Sequence, residues 1–320
     1  MEKRADLLTR VASLYYEENL TQAEIAKRIG TSRSTVSRLL QEAREAGWVE
    51  IIIHHRWKTV PAVEQELVAR FGLRGARVLA GEDRQHDELL RGLGMLAAEY
   101  LDGLIQNGHI LGISWGTAIY NTVQALRPRR KVSVTVVQMI GAVGRGDPLI
   151  DGPDLARSLA HVYGGEYRCL HAPLVVEDAR IKEALLQEPH IRETLALARQ
   201  ADVALVGVGS PVAEVASLLR AGYVDTKTLA ALQEQGVVGD VCARHYDIHG
   251  KVLDLDINRR IIGIELEDLH RVKVVIGVAG GEGKAEAIVG ALRGHHINTL
   301  VTDEATALRV LELDPLERGT

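Results

Sequence analysis

The stretch Thr21–Gly47, TQAEIAKRIGTSRSTVSRLLQEAREAG, constrains the fold more than any other part of the chain. Ile25, Ala26 and Ile29 recur at helical spacing in its first half, and Val36, Leu39, Leu40 and Ala43 do so in its second. Gly30 stands where the first helix must stop, because glycine tolerates the left-handed conformation of a tight turn. Thr21 with Glu24 three residues later reads as a capping box, and Ser32 or Thr31 caps the second helix through its hydroxyl. The outer face of that second helix is left with Arg33, Ser34, Thr35, Ser37 and Arg38. Short hydroxyls and arginines at a helix start suit phosphate oxygens and base edges, so double-stranded DNA is the expected partner. Thr21, Gln22 and Ser32, at the starts of the two helices, belong to the same DNA-facing set. An amphipathic hairpin with a solvated basic face is the plainer reading, but it leaves the agreement of turn, period and residue type unexplained.

Net charge looks unfavourable at first, because the chain carries −5. Its distribution reverses the argument. Residues 27–44 hold Lys27, Arg28, Arg33, Arg38 and Arg44 against Glu42 alone, a basic stripe on an acidic protein. No run of 18 apolar residues occurs and MEKRADLLTR has no signal-peptide core, so a cytoplasmic protein without a membrane partner is expected. Cys169 and Cys242 are far apart with no CxxC or Cys/His spacing, which predicts free thiols, no metal and no cofactor.

Residues 4–17 form a first amphipathic helix, and Trp48–Ile53 after Gly47 reads as a short wing strand. His54-His55-Arg56 is either a backbone contact to DNA or plain linker. A helix-turn-helix domain over 1–54 and a second domain over 57–320 follow. In the second, strands are expected at 76–80, 109–113, 132–139, 201–207, 237–243, 272–279 and 297–301. Helices are expected at 61–71, 84–106, 116–126, 151–163, 177–199, 225–235, 283–293 and 303–311. Apolar strands separated by helices predict a mostly parallel α/β sheet.

In such sheets ligands bind where loops leave the carboxyl ends of strands. Four small-residue loops stand there. Ser114-Trp115-Gly116-Thr117-Ala118 opens a helix whose N–H groups and Thr117 hydroxyl suit an oxygen-rich group. Gly207-Val208-Gly209-Ser210 has the same setting. Asp240 is placed to bond sugar hydroxyls and Arg244 to pair with an anion. Gly280-Gly281-Glu282-Gly283-Lys284 ends the last of the four. A glycine after a strand often does no more than permit a turn, but four together favour a small-molecule pocket. GVGSPV lacks the last glycine of a dinucleotide motif. AGGEGKA lacks the first glycine and the Ser/Thr of a P-loop, which excludes nucleotide hydrolysis. His245, Asp247 and His249 have a superficial metal spacing, but polar turn residues are the expected reading.

The N-terminal YYEENLTQAEIAKRIGTSRSTVSRLLQEAREAGWVEI, together with ILGISWGTAIY, ADVALVGVGS, GVVGD and VVIGVAGGEGKAEAIVGALRGHHINTLVTDEATA, resembles the SorC family of bacterial sugar-responsive transcriptional regulators. The resemblance spans nearly the whole chain. It implies a tetramer-forming repressor or activator of a carbohydrate operon. The body would be similar to the sugar-phosphate isomerase and deaminase fold, kept for binding and not for catalysis. By position it assigns Gly116, Thr117, Gly207, Gly209, Asp240 and Lys284 to the effector. It also implies that Arg145, in the segment framing the sugar, offers a cation, and that Ala118 replaces a common second threonine. The effector would be a sugar, polyol or sugar phosphate. The rival reading is an active isomerase or deaminase fused to a DNA-binding module, with Asp240 or Glu282 as base. One recognition helix per chain favours a homo-oligomer, dimer or tetramer.

Overall fold

The computed structural model describes residues 2–49, 57–81, 84–128, 130–144 and 148–315, without the side chains of residues 2, 3 and 282. The wing expected beyond Val49, the His54-His55-Arg56 segment and Arg145 lie outside the described residues. The chain divides into two compact units between residues 56 and 57.

Among the described residues the small unit has three helices, α1 (Glu2–Tyr16), α2 (Gln22–Ile29) and α3 (Arg33–Glu45). Val11, Ile25, Val36 and Ala43 have no exposed surface and form its centre with Leu8, Leu14, Leu39 and Leu40. These are the residues whose 3.6-residue spacing sets one apolar stripe on each helix.

Among the described residues the large unit is built on a nine-stranded sheet. Its strands are β1 (Gly75–Leu79), β2 (Ile110–Ile113), β3 (Thr135–Gln138), β4 (Glu166–Arg168), β5 (Val203–Gly209), β6 (Gly239–Val241), β7 (Arg244–Tyr246), β8 (Val274–Val278) and β9 (Thr299–Asp303). Seven run parallel in the order β1-β9-β8-β5-β2-β3-β4. The core strands are buried end to end, as in β8 and β9, because helices cover both faces. The first helices of this unit are α4 (Pro61–Phe71), α5 (His86–Leu104), α6 (Thr117–Ala125) and α7 (Gly152–Tyr163).

Three expectations need correction. Residues 237–243 do not add a parallel strand; β6 pairs antiparallel with β5 and turns back as β7. The helix expected over 177–199 is two, Ala179–Leu185 and Pro189–Ala198. Pro189 has no N–H to continue the first and opens the second with its fixed φ. Strand β4 has no counterpart in the sequence reading, since Glu166, Tyr167 and Arg168 are all exposed on this outer strand and show no apolar pattern.

The order of the strands determines where a ligand can enter. The chain leaves β2 for β3 and β4, then returns to the other side of β2 as β5 and continues to β8 and β9. The sheet therefore has its switch point between β2 and β5, where loops on the two sides diverge.

Candidate functional site

Two sites follow, one in each unit. In the small unit, Thr21 closes a capping box on α2, its N–H donating to Glu24 Oε2 at 2.8 Å and its Oγ1 accepting from Glu24 N at 3.3 Å. Gly30 takes φ +70° and lets Thr31 N–H bond to Ala26 O at 2.9 Å, which stops the helix. Ser32 caps α3, accepting from Thr35 N at 3.1 Å and sharing hydrogen bonds with the hydroxyls of Ser34 and Thr35. The hydroxyls of Thr21 and Ser32 are thus occupied in setting the two helix starts. Val36, Leu39, Leu40 and Ala43 turn inward, and Arg33, Ser34, Ser37 and Arg38 are exposed. Arg4 pairs with Glu42 and Arg28 with Glu18. Among the described residues neither Arg33 nor Arg38 has an acidic partner, so their charge faces outward uncancelled.

In the large unit a cleft of about 710 Å³, partly open to solvent, lies at the carboxyl ends of β2, β5 and β8. It brings together Ser114, Gly116, Thr117, Ala118, Gly207, Gly209, Asp240 and Lys284 from four separate stretches of sequence. Gly116 sits at φ +122°, ψ 168°, a backbone geometry open to glycine alone, and donates its N–H to Ile150 O at 3.1 Å. α6 then starts with no side-chain cap. The N–H groups of Thr117, Ala118 and Ile119 have no carbonyl one turn back, and all three residues line the cleft. Ser114, almost fully buried, accepts from Gly207 N at 3.3 Å and ties the ends of β2 and β5 together.

Charge enters the cleft on both sides. Lys284 Nζ donates to Val208 O at 3.0 Å, and burial brings its pKa down to about 8, against the opposing pull of Asp240. Arg220, which also lines the cleft, lowers it further. Asp240 fits because residue 209 is glycine, since a Cβ there would stand 1.9 Å from Asp240 Oδ1. Gly207 is under no such constraint, with only Trp115 O at 3.8 Å.

Two candidates lie elsewhere. Arg244 does not line the cleft; only 2% exposed, it donates to Asn258 O at 2.5 Å and Glu265 Oε1 at 2.7 Å, with longer bonds to Ile261 O and Ile264 O. A position on β7 turned its side chain away from the cleft, and four acceptors hold it there. Gly281 also stands outside, its N–H bonded to Asp303 Oδ1 at 2.8 Å and Thr306 Oγ1 at 2.9 Å. Sequence reasoning missed His86, Ser217, Arg220, Cys242 and Ala243, which reach the cleft from helix starts and turns without a motif. Burial pushes the Cys242 thiol up to about 12, so it is no nucleophile at neutral pH. Among the described residues no three His, Cys, Asp or Glu side chains are grouped to hold a metal. Asp247 Oδ1 instead accepts from His249 N and Lys251 N within a turn. Among the described residues no helix is long and apolar enough to cross a membrane.

Residues 56–312 match the family described as "Putative sugar-binding domain", and residues 11–54 match the MarR family. The deoxyribonucleoside regulator of Bacillus subtilis (strain 168) is 34% identical over 305 residues, 95% of this chain and 97% of that protein. The sorbitol operon regulator of Klebsiella pneumoniae is 34% identical over 317 residues, 96% and 98% of the two chains. The crystal structure of the full-length sorbitol operon regulator SorC from Klebsiella pneumoniae superposes with a TM-score of 0.75 at 33% identity. It covers 96% of this chain and 98% of that one.

Proposed function

The chain belongs to the SorC family of sugar-binding transcriptional regulators, and from that premise we propose that a sugar, polyol or sugar phosphate held in the cleft sets the affinity of α3 for operator DNA. The observation that carries this is the meeting, in one cleft, of the uncapped start of α6, the Lys284 and Arg220 cations and the Asp240 carboxylate. Free N–H groups and cations suit a phosphate or another anionic end, and a carboxylate suits hydroxyls. Arg33, Ser34, Ser37 and Arg38 contact bases or phosphates in the major groove, with Thr21, Gln22, Ser32 and Thr35 at the helix starts.

The cleft binds without turnover. What supports this reading is that the similar full-length proteins are a deoxyribonucleoside regulator and a sorbitol operon regulator, while Asp240, His86 and Lys284 are the titratable groups a rival isomerase or deaminase would have to use as base. The protein works in the cytoplasm as a homo-oligomer, a dimer or tetramer, because two α3 helices must reach two half-sites.

A thermal-shift screen against sugars, polyols and their phosphates tests the reading. A ligand at 100 times its dissociation constant adds about 2.7 kcal/mol if it binds only the folded state. A compound that raises the melting temperature and is recovered unchanged supports an effector. Conversion of that compound, or no shift across the panel, overturns it. Gly209→Ala is expected to weaken binding of any hit at least tenfold, because the added methyl displaces Asp240. Unchanged affinity would remove Asp240 from the effector contacts.

A further inference from the structure

Behind Asp240 the structure holds a second, smaller chamber, and Asp240 and Ser217 line both it and the cleft. Most of its lining is apolar, including Leu218, Leu229 and Leu232, but Ser210 and His245 also face it. His245 is 4% exposed and is the register partner of Asp240 across the β6–β7 ribbon. Residues directly opposite in an antiparallel pair project from the same face with Cβ atoms about 5 Å apart.

His245 is not oriented by chance. Asn258 Nδ2 donates to His245 O at 3.0 Å and to Leu253 O at 2.8 Å. Both partners are acceptors, so the amide can face only one way, with Oδ1 turned to His245. That oxygen accepts from His245 N at 2.9 Å and lies 3.0 Å from His245 Nδ1. A carbonyl oxygen only accepts, so Nδ1 carries the hydrogen, and Nε2 is the ring atom left for the chamber. The hairpin that carries both residues turns at Cys242 and Ala243, with φ of +51° and +61°. Two-residue turns of this kind ordinarily take Asn-Gly, so holding two L residues there is strained. The Asn258 and Arg244 bonds keep the ribbon in place from behind.

We propose that His245, oriented by Asn258, is a positioning residue for Asp240. Its Nε2 edge and the carboxylate share a bridging water in the chamber, whose polar groups can hold one. The water donates one hydrogen to each, and the carboxylate is thereby aimed at the hydroxyls of the effector. The inference rests on the reading of the cleft as the effector site and of Asp240 as its hydroxyl acceptor.

Side-chain 15N spectra of the effector-free full-length protein test it without a ligand. The wild-type ring is expected to show a protonated Nδ1 and a bare Nε2. Asp240→Asn is expected to shift the Nε2 signal of His245 and leave that of His296, bonded to Gly250 O, in place. Asn258→Ala is expected to release the tautomer, giving averaged nitrogen signals. A protonated Nε2 with a bare Nδ1 overturns the proposal, and so does an Nε2 signal unmoved by Asp240→Asn. If Asn258→Ala does not fold, Asp240→Asn decides the matter alone. The effector reading fails separately, through a thermal-shift panel without a hit, while the coupling of the two side chains stands.

Discussion

Lys284→Met is expected to raise the melting temperature of the effector-free protein at pH 7 and to remove its response to a phosphorylated effector. The ammonium is held in a buried position where one carbonyl and one carboxylate compensate it incompletely, which is why its pKa falls from 10.5 to about 8. The folded-state value lies below the unfolded one. Between about pH 8 and 10.5 the unfolded chain therefore binds the proton that the folded chain has released, and stability rises with pH across that window. Below about pH 8 both states are charged and the full burial penalty, on the order of 3 kcal/mol, is felt. Methionine removes the charge at similar volume but leaves Val208 O without its donor, a loss of about 1 kcal/mol. The net gain is about 2 kcal/mol, or several degrees in a unit of this size. Calorimetry of both proteins from pH 6 to 10 checks it, and the advantage of the variant should shrink above pH 8. A variant less stable than the wild type at pH 7 would mean that the contacts of Lys284 outweigh its burial. The same pKa limits function, since an anionic effector loses one of the two cations in the cleft, leaving Arg220, as pH rises through about 8.

Arg38→Ala is expected to weaken operator binding about tenfold with no change in melting temperature or effector affinity. The side chain is exposed and without an acidic partner among the described residues, so nothing in the fold depends on it. Titrations at several salt concentrations against duplexes selected from a random library separate its roles. If it grips a phosphate, affinity falls equally on all sequences and the slope of log K against log salt drops by about 0.9. If it reads a base edge, the slope is kept and one operator position relaxes. A parallel loss of stability would make it a folding residue.

The small unit was legible because its signals are local. Thr21 with Glu24, Gly30, Ser32 and the apolar spacing of Val36, Leu39 and Leu40 each act within one turn of helix. Helix α4 was read to the residue, since Pro61 can only begin it and Gly72, at φ +64°, can only end it. The parallel core was legible from its apolar runs. What escaped depended on distance. Arg244 is near Asp240 in sequence and looked like a ligand, yet its partners are Asn258, Ile261, Ile264 and Glu265, whose approach no local pattern reveals. His86 and Arg220 come to the cleft only because β2, β5 and β8 lie side by side. Gly281 followed the right strand, but its amide had already been taken by Asp303 and Thr306.

The pairing of β1 with β9, from Gly75 against Thr299 to Leu79 against Asp303, joins the earliest and latest strands of the sheet. During synthesis that seam cannot close until the ribosome has released the last strand. Until then β8 waits with an unpaired edge, and loops of great sequence separation have still to be drawn together. A nascent or truncated body ending before residue 299 therefore offers a sticky ladder of open backbone groups, the kind that chaperones mask. Production of this protein should be limited by how long that edge is bare, so slower, cooler expression is expected to raise the soluble fraction.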